Sequence, residues 1–282
     1  MTSRPATSTQ RTYRYLRIAI AGSVVAVFAA MVTAMPIVGL LPSLSHYYYT
    51  PARTVFVGAV MSVAVGFFAL SGRGPERALL DVAAVLAPLV AIIPTVISPH
   101  SVPGLDSTCP DGRLTCIPAA FDADVDNGVA TYLIVGALVL VLAVALAVAG
   151  QVSRPATALS VGIAGALLLA VWLSWWLAHD WFLQWAHVAA AVGFFAVIAA
   201  VAVVTAVRPS DGPRPPRWLQ VAYVVIAVLL GVTVVGMPLY GALHVGDVFG
   251  VFVGEIAALV LFAAFWVLQS IQYWRTDDPA LR

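Results

Sequence analysis

The sequence predicts an all-α integral membrane bundle of eight transmembrane helices with both termini in the cytoplasm. Three observations carry that prediction. Of 282 residues, 62% are hydrophobic and only 10% are charged, against about 25% in a soluble domain, whose surface needs charge to stay in water. The apolar residues fall into eight runs, each close to the ~20 residues that carry a helix across a bilayer. Once the chain is cut at those runs, twelve of the fourteen arginines fall on one side.

Residues 1–17 form a polar tail. It lacks the apolar stretch and small-residue cleavage site of a removable signal peptide, so the first span, 18–41, is expected to stay in the protein. A short outer connection leads to span 54–71, with Thr50 as its cap and Pro51 at its start. Span 78–98 follows. The outer loop 99–127 then carries Cys109, Cys116, Pro103, Pro110, Pro118 and five aspartates. Two cysteines outside the membrane pair in an oxidising compartment, which predicts a Cys109–Cys116 disulfide; two thiols are too few for a zinc site. The run DADVDNG in this loop resembles the start of a calcium loop. Asn127 stands where glycine is required and Leu133 where the bidentate glutamate belongs, so it reads as a solvated acidic loop. Spans 128–149, 156–178, 182–207, 218–240 and 248–272 complete a single transmembrane domain, 18–274, and 275–282 form a second cytoplasmic tail. These runs are too long and too continuously apolar for barrel strands, which are about 10 residues and alternate. Helices satisfy their own backbone in lipid.

Arg4, Arg11, Arg14, Arg17, Arg73, Arg77, Arg154, Arg208, Arg214, Arg217, Arg275 and Arg282 share one side, and only Arg53 and Arg113 lie opposite. The positive-inside rule makes the first side cytoplasmic, in the plasma membrane. Trp172, Trp175, Trp176, Trp181 and Trp185 mark the outer interface, and Trp218 and Trp274 the inner one. VGFFAL at 65–70 and VGFFAV at 192–197 hint at a parallel four-plus-four repeat.

Glu255 is the most unusual residue, because an ionisable group about two turns into a span costs at least ~3 kcal/mol unless it is paired, protonated or hydrated. Asp247 and His244 precede it on the same helical stripe. Gly246, Gly250 and Gly254 form an adjacent small-residue stripe that lets another backbone approach. His187 is the one histidine well inside a span, while His46, His100, His179 and His244 lie at outer ends or loops. Tyr48 and Arg53 belong to SLSHYYYTPARTVFVG, which joins the first two spans outside.

That segment resembles a family of uncharacterised bacterial, actinobacterial-like polytopic membrane proteins with a SxSxYYxTxxRxxFVG-type signature. The matching residues are Ser43, Ser45, Tyr47, Tyr48, Thr50, Arg53, Phe56, Val57 and Gly58. Asp81, Pro94, Thr95, His187 and Glu255 are similar in placement. The resemblance implies a polytopic fold and no established activity. Eight spans with an outer cysteine pair also resemble haem A synthases, but spans 2, 4 and 8 lack their internal histidines.

The expected working site is an outer-leaflet polar cavity lined by Glu255, Asp247, His187, Tyr48 and Arg53. The leading functional reading is non-enzymatic: small-solute or lipid-related transport, or envelope assembly, with no cofactor. A second reading is a metal-dependent membrane enzyme, with His187, His179 or His46 as ligands and Glu255 as ligand or general base. A third is a structural subunit docking on a membrane-protein partner, or on a second copy of itself, through the glycine stripe. A net charge of +1 gives no field for nucleic acid, and no glycine loop cradles phosphate. The lipid bilayer is the one partner composition requires.

Overall fold

The computed structural model describes residues 7–70, 75–151, 154–207, 214–243 and 248–274, and Asp247, Gly246 and His244 therefore lie outside the described residues. The described chain is helical. The long helices are α1 Ser8–Val38, α2 Arg53–Leu70, α3 Pro75–Ile92, α4 Asp122–Val148, α5 Arg154–Leu177, α6 His179–Val207, α7 Arg217–Leu243 and α8 Val248–Gln272. Seven of them are long and apolar enough to cross a membrane, and α3 is the exception. It carries Glu76, Arg77 and Asp81 in its first two turns.

Three boundaries differ from expectation by about six residues or more. α1 begins ten residues before the expected span, because Thr7 and Gln10 cap it reciprocally, each side chain bonding the other's backbone N–H. It stops at Gly39, whose positive φ of 74° lets its N–H fold back on the Met35 carbonyl. α3 ends at Ile92 instead of near residue 98, since Pro94 disfavours helical geometry at the residue before it. Beyond it, Ile97 pairs with Cys116 in an isolated antiparallel bridge. α4 begins at Asp122, so the acidic run read as loop is the first turns of a helix. Asp122 and Asp124 there meet the positive end of the helix dipole. Cys109 and Cys116 are disulfide-bonded, with Cα atoms 5.6 Å apart.

Six helices close a ring: α1 packs on α2, α2 on α3, α3 on α6, α6 on α7, α7 on α8, and α8 returns to α1. α4 and α5 pair outside it, against α3. This arrangement does not follow a four-plus-four duplication, which would give α4 and α8 equivalent places. α4 presents Ile134, Leu138, Val141 and Leu142 outward, and α5 adds Trp172 and Trp176, as lipid contact requires. α3 lies at the junction, and Ala83, Ala84, Ala87 and Ala91 are fully buried on it. Small side chains there let α2 and α6 approach closely.

The ring encloses aromatic side chains. Phe67 of α2 stacks on Phe194 of α6 at 6.0 Å and on Trp266 of α8 at 5.3 Å. Phe262 tilts against Phe67 and Phe194. Both described ends of the chain lie together. Arg14 donates to the Trp274 carbonyl, and Arg17 stacks over Tyr273 at 4.8 Å.

At its described positions, Gly250 and Gly254, the glycine stripe is filled from within the molecule. A Cβ on Gly250 would collide with the Tyr240 ring of α7, and one on Gly254 with the Met237 side chain. Gly58 of α2 has open space around its missing Cβ. Gly250→Leu is therefore expected to lower stability by about 1–3 kcal/mol through overpacking, while Gly58→Leu changes it little. Thermal unfolding of both variants in detergent measures the difference.

Candidate functional site

At the end of the ring opposite residues 7 and 274, the chain leaves α1, turns at Leu41 and Pro42, and folds into a short 3-10 helix, Leu44–Tyr49. This tyrosine helix is buried: Ser43, Leu44, Ser45, Tyr47, Tyr48 and Thr50 each expose less than a tenth of their surface. Its fold is set by local bonds. The Tyr47 hydroxyl donates to the Gly39 carbonyl at 3.0 Å, and the Thr50 hydroxyl donates to the Tyr47 carbonyl at 2.7 Å. Tyr49 reaches across to donate to the Thr95 carbonyl at 2.6 Å, just beyond the end of α3.

The first N–H groups of any helix have no partner within it. Here a carboxylate from a distant helix supplies one. The Leu44 N–H donates to Glu255 Oε2, and the Ser45 hydroxyl lies 2.7 Å from Glu255 Oε1. The Ser45 N–H and the Ser43 hydroxyl also turn toward this carboxyl. Glu255 is half-buried on α8, with its head group directed into the tyrosine helix.

Ser45 has a second neighbour. His187 Nε2 of α6 lies 3.1 Å from the same hydroxyl oxygen, and His187 Nδ1 lies 2.7 Å from the Ile93 carbonyl. A carbonyl can only accept, so Nδ1 carries a hydrogen and donates it. The Ile93 carbonyl is available because α3 stops there: the N–H of Ile97, its partner in a continuing helix, bonds instead to the Cys116 carbonyl at 2.9 Å. His46, the next residue along the tyrosine helix, is bonded through Nδ1 to the Ser43 hydroxyl at 2.9 Å.

Glu255 and His187 thus come together with Ser45 between them, and Tyr48 and Arg53 form a neighbouring group. Arg53 donates to Asp124 of α4 at 2.8 Å and to the Tyr48 hydroxyl at 3.0 Å, and its guanidinium covers the Tyr48 and Phe121 rings. This group ties α2 to the start of α4. His179 begins α6 beside Asp180, which pairs with Arg113 of the disulfide loop at 2.8 Å. Gln184 holds the same loop through Thr115 at 3.1 Å.

Both ring nitrogens of His187 are in hydrogen bonds, which leaves no lone pair for a metal in this arrangement. Among the described residues, no three histidine, cysteine or carboxylate side chains gather as a metal site would require. Sequence reasoning missed the Ile93 carbonyl and the bridging role of Ser45. Pro94 was the available signal for the first, since it ends α3 and frees a carbonyl. Compared with family models, curated proteins and solved structures, the chain shows no match.

Burial of His46, with His187 close by, pushes its imidazole down from the ordinary range to about 4. Between about 6.5, the unfolded value, and that folded value, the unfolded chain binds the extra proton. The neutral His46 therefore contributes stability that is full above about pH 6.5 and is lost as pH falls toward 4. His46→Gln is expected to flatten this part of the stability–pH curve. Chemical unfolding of wild type and variant at pH 7 and pH 4.5 measures it, and parallel curves would refute the assignment.

Proposed function

We propose that this chain is an eight-span protein of the cytoplasmic membrane, with both termini inside, that moves a small solute between the membrane faces without transforming it. Glu255 is its coupling residue, and the tyrosine helix is the element that holds and releases it. The observation that carries this reading is the carboxyl of Glu255 gathered by the start of the tyrosine helix and linked through Ser45 to His187. A carboxyl kept in an apolar bundle at a cost of about 3 kcal/mol has a use. The segment whose signature resembles that of the polytopic family is the one that contributes Ser43 and Ser45 to this site. The Ser43-to-Arg53 segment would then be the characteristic working part of that family.

The third span in this reading is α3. Asp81 accepts from Ser160 of α5 at 2.7 Å and lies 3.8 Å from Arg77, so its charge faces partners within the protein. The expected orientation is tested with single cysteines in a Cys109→Ser, Cys116→Ser background. A membrane-impermeant maleimide added to intact cells should label Ser101→Cys and spare Thr7→Cys. The reverse pattern would invert the topology.

Function is tested in cells lacking the protein, by mass spectrometry of small solutes and lipids on either side of the membrane. Wild type should restore the distribution. Glu255→Gln, at equal abundance, should lose at least tenfold of that restoration. Equal restoration by both would remove Glu255 from the function.

A further inference from the structure

We infer that Glu255 and His187 share a single exchangeable proton through the Ser45 hydroxyl, so that the ion coupled at this site is a proton and not a metal cation. The inference deepens the transport reading, which makes Glu255 the coupling residue, but rests on geometry of its own.

The hydrogens at this site can be counted. His187 Nδ1 spends its hydrogen on the Ile93 carbonyl at 2.7 Å. The Ser45 hydroxyl has one hydrogen and two close neighbours, Glu255 Oε1 at 2.7 Å and His187 Nε2 at 3.1 Å. Two arrangements satisfy both contacts and place the Ser45 hydrogen in one of them. In one, Glu255 is a carboxylic acid that donates from Oε1 to Ser45 Oγ, and Ser45 donates to a neutral His187 Nε2. In the other, an imidazolium His187 donates from Nε2 to Ser45 Oγ, and Ser45 donates to a Glu255 carboxylate. A carboxylate facing a neutral imidazole leaves Ser45 one hydrogen short, and one contact then sets two lone pairs face to face.

The two satisfied arrangements hold the same number of protons and the same net charge. They interconvert when the Glu255 proton moves to Ser45 Oγ while the Ser45 proton moves to His187 Nε2. The oxygen–hydrogen bond at Glu255 breaks, a new one forms at Ser45, the old Ser45 bond breaks, and a nitrogen–hydrogen bond forms. The serine ends as the hydroxyl it began as.

The surroundings suit a proton. The tyrosine helix brings His46, bonded to Ser43, and Tyr47, bonded to the Gly39 carbonyl. α3 brings the Ile93 carbonyl, and α7 places Tyr240 against the first turn of α8 at Gly250. The α1 face at this level is apolar, with Met31 and Val38 in one cluster with Phe252 of α8. Asp247 and His244 precede α8 outside the described residues. The Leu44 N–H, which can only donate, points at Glu255 Oε2, and Ser45 Oγ lies at Oε1. A sodium or divalent cation needs a shell of oxygen acceptors.

The test uses purified full-length protein and two signals. One is the infrared carbonyl band of a protonated carboxyl, assigned by its loss in Glu255→Gln. The other is the ring nitrogen resonance of His187, assigned by its loss in His187→Gln. A shared proton leaves the pair in one macroscopic step, so both signals should titrate with a common midpoint in wild type. Ser45→Thr keeps the hydroxyl and should keep the common midpoint. Ser45→Val has nearly the same volume as threonine but no hydroxyl, and should separate the midpoints by at least one pH unit. Ser45→Ala is the fallback where valine does not fold. Midpoints already separate in wild type, or a common midpoint surviving in Ser45→Val, would overturn the relay. The same titration with sodium, magnesium or zinc added should not move; a midpoint displaced by one of them would assign the site to that cation. A common midpoint alongside a Glu255→Gln that still restores solute distribution would sink the transport reading and leave the relay standing.

Discussion

The hydrogen bonds between Glu255 and the start of the tyrosine helix are the constraint on which this end of the molecule depends. Neither partner is tolerable alone. A buried helix start leaves N–H groups unsatisfied, at about 1–3 kcal/mol each, and a carboxyl in an apolar bundle has no water to solvate it. Each removes the other's penalty. The contact joins residues separated by more than two hundred positions, and it fixes α8 against the link between α1 and α2. The closing of the ring between α8 and α1 thus has a polar lock at one end. At the other end it has Arg14 and Arg17 lying over Trp274 and Tyr273.

Between the two ends the ring is filled by apolar side chains. Phe67, Phe194, Phe262, Phe265 and Trp266 fill its centre and touch one another from three helices. A second polar group lies beyond them, on the side of the termini. Thr205 of α6 donates to Glu76 of α3 at 3.2 Å, and Tyr223 of α7 donates to Gln272 of α8 at 2.7 Å. Two polar layers separated by an aromatic layer give the molecule two faces with little polar continuity between them. In the proposed transport reading, a solute would pass only if the aromatic side chains moved, and packed cores change between discrete arrangements instead of yielding smoothly.

Much of the fold is legible in the sequence, because the signal is strong where lipid is the solvent. Each long helix overlaps an expected span, and α8 begins and ends where its apolar run does. Glu255 and His187 were legible for the same reason, as polar groups in places that penalise them. The misplaced boundaries share a cause. Asp122 opens α4 because its charge pairs with a helix dipole, which apolar-run reading does not see. α3 ends at Ile92 because Pro94 and the bridge between Ile97 and Cys116 redirect the chain. The tyrosine helix was read as an interfacial connection since it is short and rich in polar atoms. It enters the bundle because its polar atoms find Glu255, Gly39 and Thr95, partners that no local pattern announces. Tyr48 and Arg53 are expected beside Glu255 because all three fall at the outer face, whereas Asp124 draws Arg53 toward α4.

The interposed serine also has an energetic consequence. A carboxylate and an imidazolium in direct contact would attract strongly at low dielectric, and the proton would stay on the ring. Two hydrogen bonds through Ser45, at 2.7 and 3.1 Å, hold the charges about 5–6 Å apart, where their attraction is about 3 kcal/mol at an effective dielectric of about 20. The charged arrangement places two charges at depth, each at a cost of about 3 kcal/mol, so the attraction offsets about half of that cost. The donors at Glu255 and the Ile93 carbonyl at His187 favour the charged arrangement; removal from water favours the neutral one. With terms of similar size opposed, small movements of the tyrosine helix decide where the proton sits. Displacing Leu44 from Glu255 while Ser45 stays would strip the carboxylate of a donor and favour return of the proton to it through Ser45. A change in the helix at this end of the ring is thereby converted into a change in protonation. The converse also holds, since protonating Glu255 weakens its hold on the tyrosine helix and loosens the lock between α8 and α1.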